Sequence, residues 1–447
     1  MKLKWSRYVT ETLIDEGPDK RNVIFFNSVN RGVYQTDMES KKKIEDSMQD
    51  TKMCPDDEKD VIAKLYKDGF IVGKEIDETE KFDQYRRDYF NDIFGMVVYF
   101  TPTWNCNFSC PYCIQNSTDH NMAGRSPTMD DSTISACVDW MLGFMEKNKE
   151  SILGNSKRNS KAKTLRTVFF GGEPTLAHSA NMKLLGEIHR KKPDWIGFES
   201  SMISNGYIFD EKMICDYKRY HFSSVQITLD GPPAVHDSRR KTVSGDKTFE
   251  TILNNIKLLC SLRVEVAVRI NVDDSNITYV TDLIDLLAEN DLNKEVILSI
   301  APVDSWSGAA FPNGGHTAET LSHINSIYGK AKERGFQLSM WESFCAVYAK
   351  SFFSIAPDGK LYKCPSLCGE QGQCVGSVFE ESLNEIYDKF LKIDMSSRCK
   401  LCRYAGVCGG GCYYQKYLSD FRDHSACLYS TLKEYVEAYS RYSHVEL

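Results

Sequence analysis

The placement of cysteines constrains this chain more than any other feature. It has sixteen, and they are spread unevenly. Three form the pattern Cys106-x3-Cys110-x2-Cys113, and nine lie between Cys345 and Cys427. Cys54, Cys137, Cys215 and Cys260 stand singly, which is how buried structural thiols usually occur. With 447 residues and 42% hydrophobic content, the chain can build two or three cored domains without disulfide staples. Its start, MKLKWSRYVTETLIDEG, lacks the apolar stretch of a secretory signal, and no apolar run reaches bilayer length. These features predict a cytoplasmic protein with no membrane partner. Thiols stay reduced there, so clustered cysteines point to metal. A net charge of −7 argues against nucleic acid as a partner.

Periodicity divides the chain into three parts. Residues 22–37 read as two strands around a turn-prone stretch, followed by helical patterns and, in DEKDVIAKLYKDGFIV, a short closing strand. This order predicts a small winged-helix-like domain over 1–85. The stretch KEIDETEKFDQYRRDY reads as a charged, exposed linker. From residue 96, six strand-like runs alternate with helical patterns: MVVYFTP, TVFFGG, FESSMISNG, SVQITLDG, VEVAVRINV and EVILSIAPV. Such alternation predicts an α/β domain of parallel units over 96–310, an open partial barrel with its chemistry at the strand C-terminal ends. Residues 150–163 read as a flexible basic insertion, and 302–316 as a Gly/Pro-rich loop. Over 340–447 cysteines dominate, which predicts a metal-held region with a closing helix.

Cys106, Cys110 and Cys113 follow directly on a predicted strand. Three thiolates at this spacing can close around three irons of a [4Fe–4S] cube. Four cysteines are usual, so the missing one leaves an iron open. Structural zinc wants four ligands, and His120 is the one nearby candidate. Further along, Gly171-Gly172-Glu173-Pro174, Ser204-Asn205-Gly206 and Thr228-Leu229-Asp230-Gly231-Pro232 each end a predicted strand. Each alone is an ordinary turn. Their order on successive strand ends is the stronger signal.

The segment CNFSCPYC resembles the CxxxCxxC motif of the radical S-adenosylmethionine (SAM) superfamily, with Tyr112 as the aromatic common before the last cysteine. That resemblance implies a partial (β/α)6 barrel and a SAM-binding [4Fe–4S] cluster. Gly171, Gly172, Glu173 and Pro174 resemble the GGEP motif that contacts the amino group of SAM. The glycines permit close backbone approach, and Glu173 supplies a carboxylate for an ammonium. Ser204 and Asn205 resemble the family's (S/T)NG turn. Thr228 and Asp230, with His236, Asp237 and Arg240, resemble its SLDGP…HDxxR block, where the hydroxyl and the arginine help hold SAM. Arg239 adjoins Arg240, and the spacing favours Arg240. Arg269 and Asn271, at a further strand end, face the same site.

The C-terminal cysteines resemble the SPASM extension of radical SAM peptide-modifying enzymes. By that resemblance Cys345, Cys364 and Cys412 hold one auxiliary [4Fe–4S] cluster, and Cys399, Cys402, Cys408 and Cys427 hold another. The total would be three clusters. Cys368 and Cys374 are candidates to complete the first auxiliary set, which otherwise stays open at one iron. The N-terminal domain is similar to a RiPP recognition element, which binds a precursor's leader by strand addition. The implied activity is an oxidoreductase that modifies a ribosomally made precursor peptide. A 5′-deoxyadenosyl radical takes a hydrogen atom, and Cys thioether cross-links are the first choice of product. A flavodoxin- or ferredoxin-type protein would supply low-potential electrons. Carbon–carbon cross-linking, epimerisation, and formylglycine formation as in anaerobic sulfatase maturation are alternatives. So is a non-catalytic iron–sulfur or zinc scaffold.

Overall fold

The computed structural model describes residues 2–15, 21–49, 55–116, 128–155, 163–303, 318–339, 345–418, 427 and 429–442. The N-terminal strands are β1 (Leu3–Trp5), β2 (Val9–Asp15), β3 (Arg21–Asn27), β4 (Val33–Asp37) and β5 (Ile71–Gly73). β3 lies between β2 and β4 in antiparallel register, and β1 pairs with β5. Helices Met38–Gln49 and Asp56–Lys67 fall between β4 and β5. Val23, Phe25, Ile44, Met48, Leu65 and Ile71 give this part a small core of its own. Strands β1 and β2 go beyond the sequence expectation.

The expected linker is instead a helix, Glu78–Asn91. Asp77 caps it, its side chain accepting from the N–H groups of Thr79 and Glu80. Abundant charge conceals a stripe at helical spacing: Phe82, Asp83, Arg86 and Phe90 are all buried. The two charged members can be buried because they meet opposite charges on another part of the chain. Arg86 pairs with Asp394 at 3.2 Å, and Asp83 pairs with Lys400 at 2.8 Å.

The centre is a run of six parallel strands: β6 (Met96–Phe100), β7 (Thr164–Phe169), β8 (Gly197–Ser204), β9 (Phe222–Thr228), β10 (Glu265–Val272) and β11 (Val296–Pro302). Each neighbours the next in chain order, as the alternating pattern predicts. Their two faces differ. On β10, Val266, Val268, Ile270 and Val272 join the helix-covered core, while Arg269 and Asn271 are half-buried on the opposite face. Arg166 and Glu199 lie on that second face of β7 and β8, with Nε to Oε2 at 3.1 Å. One side of the sheet is thus sealed with hydrocarbon, and the other is polar and open.

The regular sheet does not stop at residue 340. β12 (Gln337–Leu338) extends one edge beyond β11. On the other edge β13 (Phe352–Ile355) runs parallel to β6, and β14 (Lys360–Tyr362) and β15 (Cys374–Ser377) follow antiparallel. The first cysteine-rich residues are therefore bolted to the barrel by the same ten-stranded sheet. The expected flexible insertion begins with a helix, Lys149–Asn155, that buries Ile152. Cys54, His120 and most of the 302–316 loop lie outside the described residues. No described helix is long and apolar enough to cross a membrane.

Candidate active site

The three cysteines of the first group lie on the loop after β6, and the loop is fastened from several sides. Gly172 N–H donates to Thr103 O at 3.0 Å, and Glu173 N–H donates to Asn105 O at 2.7 Å. From the other side Val243 N–H donates to Asn107 O at 2.9 Å and Ser109 N–H to Lys241 O at 3.1 Å. A methyl group on Gly172 would sit 2.1 Å from Asn105 O, so only glycine lets these loops meet. Within the loop Phe108 N–H points at Cys106 Sγ, 3.4 Å away. Cys106 lies within electrostatic reach of Cys110, Cys113 and Glu173. Burial pushes the Cys110 thiol above its usual range, and the nearby Arg240 opposes that shift.

Glu173 departs from expectation. Its carboxylate is turned inward and is 1% exposed. Oε1 accepts from Thr175 N–H, Thr175 Oγ1 and Ser204 Oγ at 3.0, 2.7 and 2.8 Å, and Oε2 accepts from Asn205 N–H at 2.7 Å. A carboxylate has about four acceptor positions. Three of the donors crowd on Oε1 and one reaches Oε2, so the carboxylate joins the GGEP and SNG turns from inside the protein.

Asn205 carries the connection onward, its Nδ2 donating to Asn107 Oδ1 at 2.7 Å. Asn107 escaped sequence reasoning because its partner is remote in the chain. Tyr112 reaches into the end of the sheet. Its hydroxyl donates to Asp230 Oδ2, accepts from Arg240 Nη1 at 2.7 Å, and lies 3.5 Å from Asn271 Nδ2. The neighbouring arginines divide their work. Arg239 makes a two-pronged pair with Asp273, at 3.0 and 2.7 Å, and its guanidinium lies over the Tyr112 ring. Arg240 lies against Phe108 and Tyr112 of the cysteine loop, and its Nε is buried without a partner among the described residues. Thr228 ends β9 opposite Arg269 on β10, and Arg269 Nε donates to Asn271 Oδ1 at 3.0 Å.

His236 locks this block. Asp230 N–H donates to His236 Nδ1 at 3.3 Å, so the ring proton belongs on Nε2, which faces Thr248 Oγ1 at 3.1 Å. The Thr248 hydroxyl in turn donates to Arg240 O. Asp237 accepts from the N–H groups of Thr248 and Phe249, both at 2.9 Å, at the start of helix Phe249–Ser261.

The later cysteines fall into two groups. Cys412 lies in electrostatic reach of Cys364 and Cys345. Cys402 is likewise near Cys399 and Cys427, and Cys408 near Cys399 and Cys402. Burial pushes the Cys364 thiol up to about 12 and the Cys408 thiol to about 11. Gly409, Gly410 and Gly411 all take positive φ, 63°, 99° and 92°, turning the chain from the second group to Cys412 of the first. Cys368 is fully buried, with Thr101, Ser354, Asp358 and Cys374 as its neighbours. Of the lone cysteines, Cys137 is buried as expected. Cys215 is exposed, because it lies on the outer side of helix Glu211–Lys218.

Among the described residues, no three Cys, His, Asp or Glu side chains converge as a single ion would need. A four-iron cube holds its thiolates on separate corners, further apart than the ligands of one tetrahedral ion. Thiol groups in threes and fours suit that larger body. So do the buried Arg240 Nε beside Cys110 and the buried Tyr348 Oη, unpartnered among the described residues, beside Cys345 and Cys412.

Residues 100–287 match the radical SAM superfamily. This part of the chain is a radical SAM domain. The radical SAM superfamily implies SAM and a [4Fe–4S] cluster, and the sequence relatives of this chain include sulfatase-maturating enzymes. The serine-type anaerobic sulfatase-maturating enzyme of Klebsiella aerogenes is 23% identical over 335 residues, 69% of this chain and 76% of that protein. Among solved structures, native anSMEcpe with bound AdoMet superposes with a TM-score of 0.58 at 18% identity, covering 77% of this chain and 97% of that one. Streptococcus suis SuiB bound to precursor peptide SuiA gives 0.50 at 13% identity, covering 95% of this chain and 99% of SuiB. At these identities the two structures speak for the fold alone. The radical SAM domain begins at β6 and includes the cysteine loop and the GGEP, SNG and Asp230 turns.

Proposed function

We propose that this chain matures a ribosomally made precursor peptide by joining a cysteine sulfur to a carbon of another residue. The observation that carries the peptide substrate is the extent of the fold match, and the cysteine-rich auxiliary region is what inclines the product to a thioether. The match to SuiB, whose structure holds its precursor peptide, runs over 95% of the chain, whereas that to anSMEcpe covers 77%. The difference leaves room for the N-terminal domain, which we assign to leader binding. Its strand β4 pairs with β3 on one side only among the described residues, so its other edge can take an added strand. The three domains are read as 1–85, 96–310 and 340–447, and helix Glu78–Asn91 crosses the first boundary. The reducing cytoplasm is the proposed setting.

Cys106, Cys110 and Cys113 would hold the SAM cluster, and the Gly171–Pro174 backbone, Thr228, Arg240 and Arg269 would hold SAM. When bound, SAM and its cluster supply the 5′-deoxyadenosyl radical that takes a hydrogen atom from the peptide. The chain's own residues fix where that happens. Glu173, Asn107 and Asn205 tie the SAM turns to the cysteine loop. Tyr112, Asp230 and Arg240 keep the loop seated on the strand ends. The polar face with Arg166, Glu199 and Asn271 offers hydrogen bonds to a peptide backbone. Cys345, Cys364 and Cys412, and Cys399, Cys402, Cys408 and Cys427, are assigned to two auxiliary clusters, three clusters in all. A low-potential flavodoxin- or ferredoxin-type protein is the assigned electron donor.

The test incubates the anaerobically prepared enzyme with SAM, dithionite and a cysteine-containing precursor peptide encoded beside its gene. Thioether formation removes a pair of hydrogens and one alkylatable thiol per link. A carbon–carbon link leaves every thiol, epimerisation leaves the mass, and formylglycine formation expels the sulfur. Any of these last three outcomes overturns the thioether assignment. Release of 5′-deoxyadenosine should vanish when Cys106, Cys110 and Cys113 are all changed to Ala, and unchanged release would refute the cluster site itself.

A further inference from the structure

Arg86 comes from outside the cysteine-rich region yet lies within it. The residue is 4% exposed. Nη1 reaches Asp394 Oδ1 and Nη2 donates to Ile393 O, both at 3.2 Å. The guanidinium lies over the rings of Phe90 and Tyr348, at 5.1 and 5.7 Å. Nε is buried with no partner among the described residues. Asp394 itself is 56% exposed, so water screens the one carboxylate that pairs with Arg86. A buried guanidinium with a screened counter-charge and an idle donor has unmet demand for an anion.

Tyr348 shows what lies nearby. Its N–H donates to Cys345 O at 3.4 Å, and its ring also has Lys416 Nζ at 5.9 Å. Lys416 N–H donates to Cys412 O at 3.2 Å. Arg86 and Lys416 thus share one aromatic ring, at the root of two thiols of the first auxiliary set. Lys416 is also in electrostatic reach of Cys399 and Cys408 of the second set. Lys416 stands where the sets approach each other, and Arg86 adjoins it across the Tyr348 ring.

We propose that Arg86 and Lys416 form a positive partition between the two auxiliary clusters and raise the reduction potentials of both. The proposal rests on the cluster assignment above. A thiolate-ligated cluster is anionic and gains negative charge when reduced, so adjacent fixed cations favour the reduced form. Arg86 also makes the N-terminal domain's helix part of the electron-handling region, a role distinct from leader binding.

The experiment uses the full chain with Cys106, Cys110 and Cys113 changed to Ala, so that only auxiliary clusters titrate. Redox titration followed by electron paramagnetic resonance gives their midpoints, with iron and sulfide counted in parallel. Arg86→Gln and Lys416→Gln should each lower the midpoints. The expected change is about tenfold in the electron-transfer equilibrium, or about 59 mV for one electron. Arg86→Lys should restore most of the loss. Unmoved midpoints in both Gln variants at full iron content would overturn the proposal. So would an Arg86→Lys shift as large as that of Arg86→Gln, because it would point to shape rather than charge. If Arg86→Gln sheds iron, Lys416→Gln decides the matter alone. A parent protein with no auxiliary iron would refute the underlying assignment instead, and the iron count shows which has failed.

Discussion

The two cysteine regions are built on opposite plans. The loop of Cys106, Cys110 and Cys113 is fastened by protein. Its backbone bonds run to the GGEP turn on one side and to Lys241–Val243 on the other, and Asn205 and Tyr112 add side-chain ties. The segment from Cys399 to Cys412 has far less to rely on. Helices Ser397–Lys400 and Ala405–Cys408 are each four residues long, too short to persist unaided. Three left-handed glycines follow. Its outside ties among the described residues come from side chains, including Tyr8 Oη to Lys400 O at 2.8 Å, Ser28 Oγ to Arg403 O at 2.6 Å, Lys400 Nζ to Asp83 at 2.8 Å, and the packing of Tyr404 and Val407 on Phe26 and Val436. The first site is organised by protein bonds alone, while the second, on the cluster assignment proposed above, would need metal to complete its fold.

Removing all iron is the strongest way to break this contrast. Hydrogen exchange on the metal-free protein should show residues 397–412 losing protection by several orders of magnitude, while β6–β10 keep theirs. Equal loss in both regions would erase the distinction. Gly172→Ala attacks the other side. Its added methyl would press on the Asn105 carbonyl, which is backbone and cannot swing away. A cost of about 3 kcal/mol or more is expected, from the upper end of overpacking penalties. Thermal melting of the metal-free protein reads this directly, and SAM cleavage should fall with it. A variant that melts like the parent would show that the fastening is dispensable.

The contrast also explains what the sequence made legible. GGEP, SNG, Asp230-Gly231-Pro232 and the spaced cysteines are local patterns at strand ends, so six alternating strands with turn residues after them could be read in order. Partners separated by long stretches of chain were hidden. Asn107 looks like any loop asparagine until Asn205 is set beside it. The inward turn of Glu173 follows from two hydroxyls and two N–H groups that no spacing announces. Helix Glu78–Asn91 reads as solvated because Asp83 and Arg86 count as polar, though both are buried against charges that lie far along the chain. Lys363 is another charged residue type hidden inside. It is fully buried, its ammonium donating to Ala349 O at 2.5 Å and to Phe352 O while resting on the Phe353 ring. Spacing favoured Arg240 over Arg239, and the position of Asp273, which holds Arg239, separates their roles.

The smallest expected effect sharpens the claim that the first site is organised without cofactor. Burial, together with Arg240 and Arg239, holds the His236 pKa well below the usual histidine value. The unfolded chain takes up a proton on this residue near pH 6.5, and the folded chain refuses it. Where the unfolded state binds more protons, stability rises with pH. The contribution of His236 is therefore complete above about pH 6.5 and is lost as pH falls below it, by up to about 1.4 kcal/mol per pH unit. Melting of the metal-free protein between about pH 7.5 and pH 5.5 should show this slope. His236→Asn should flatten it, since the amide oxygen still accepts from Asp230 N–H but carries no titrating proton. If the slope survives in the variant, His236 does not lock the site. If it is absent from the metal-free parent, the block around Arg240 forms only with cofactor, and the two regions are more alike than their hydrogen bonds imply.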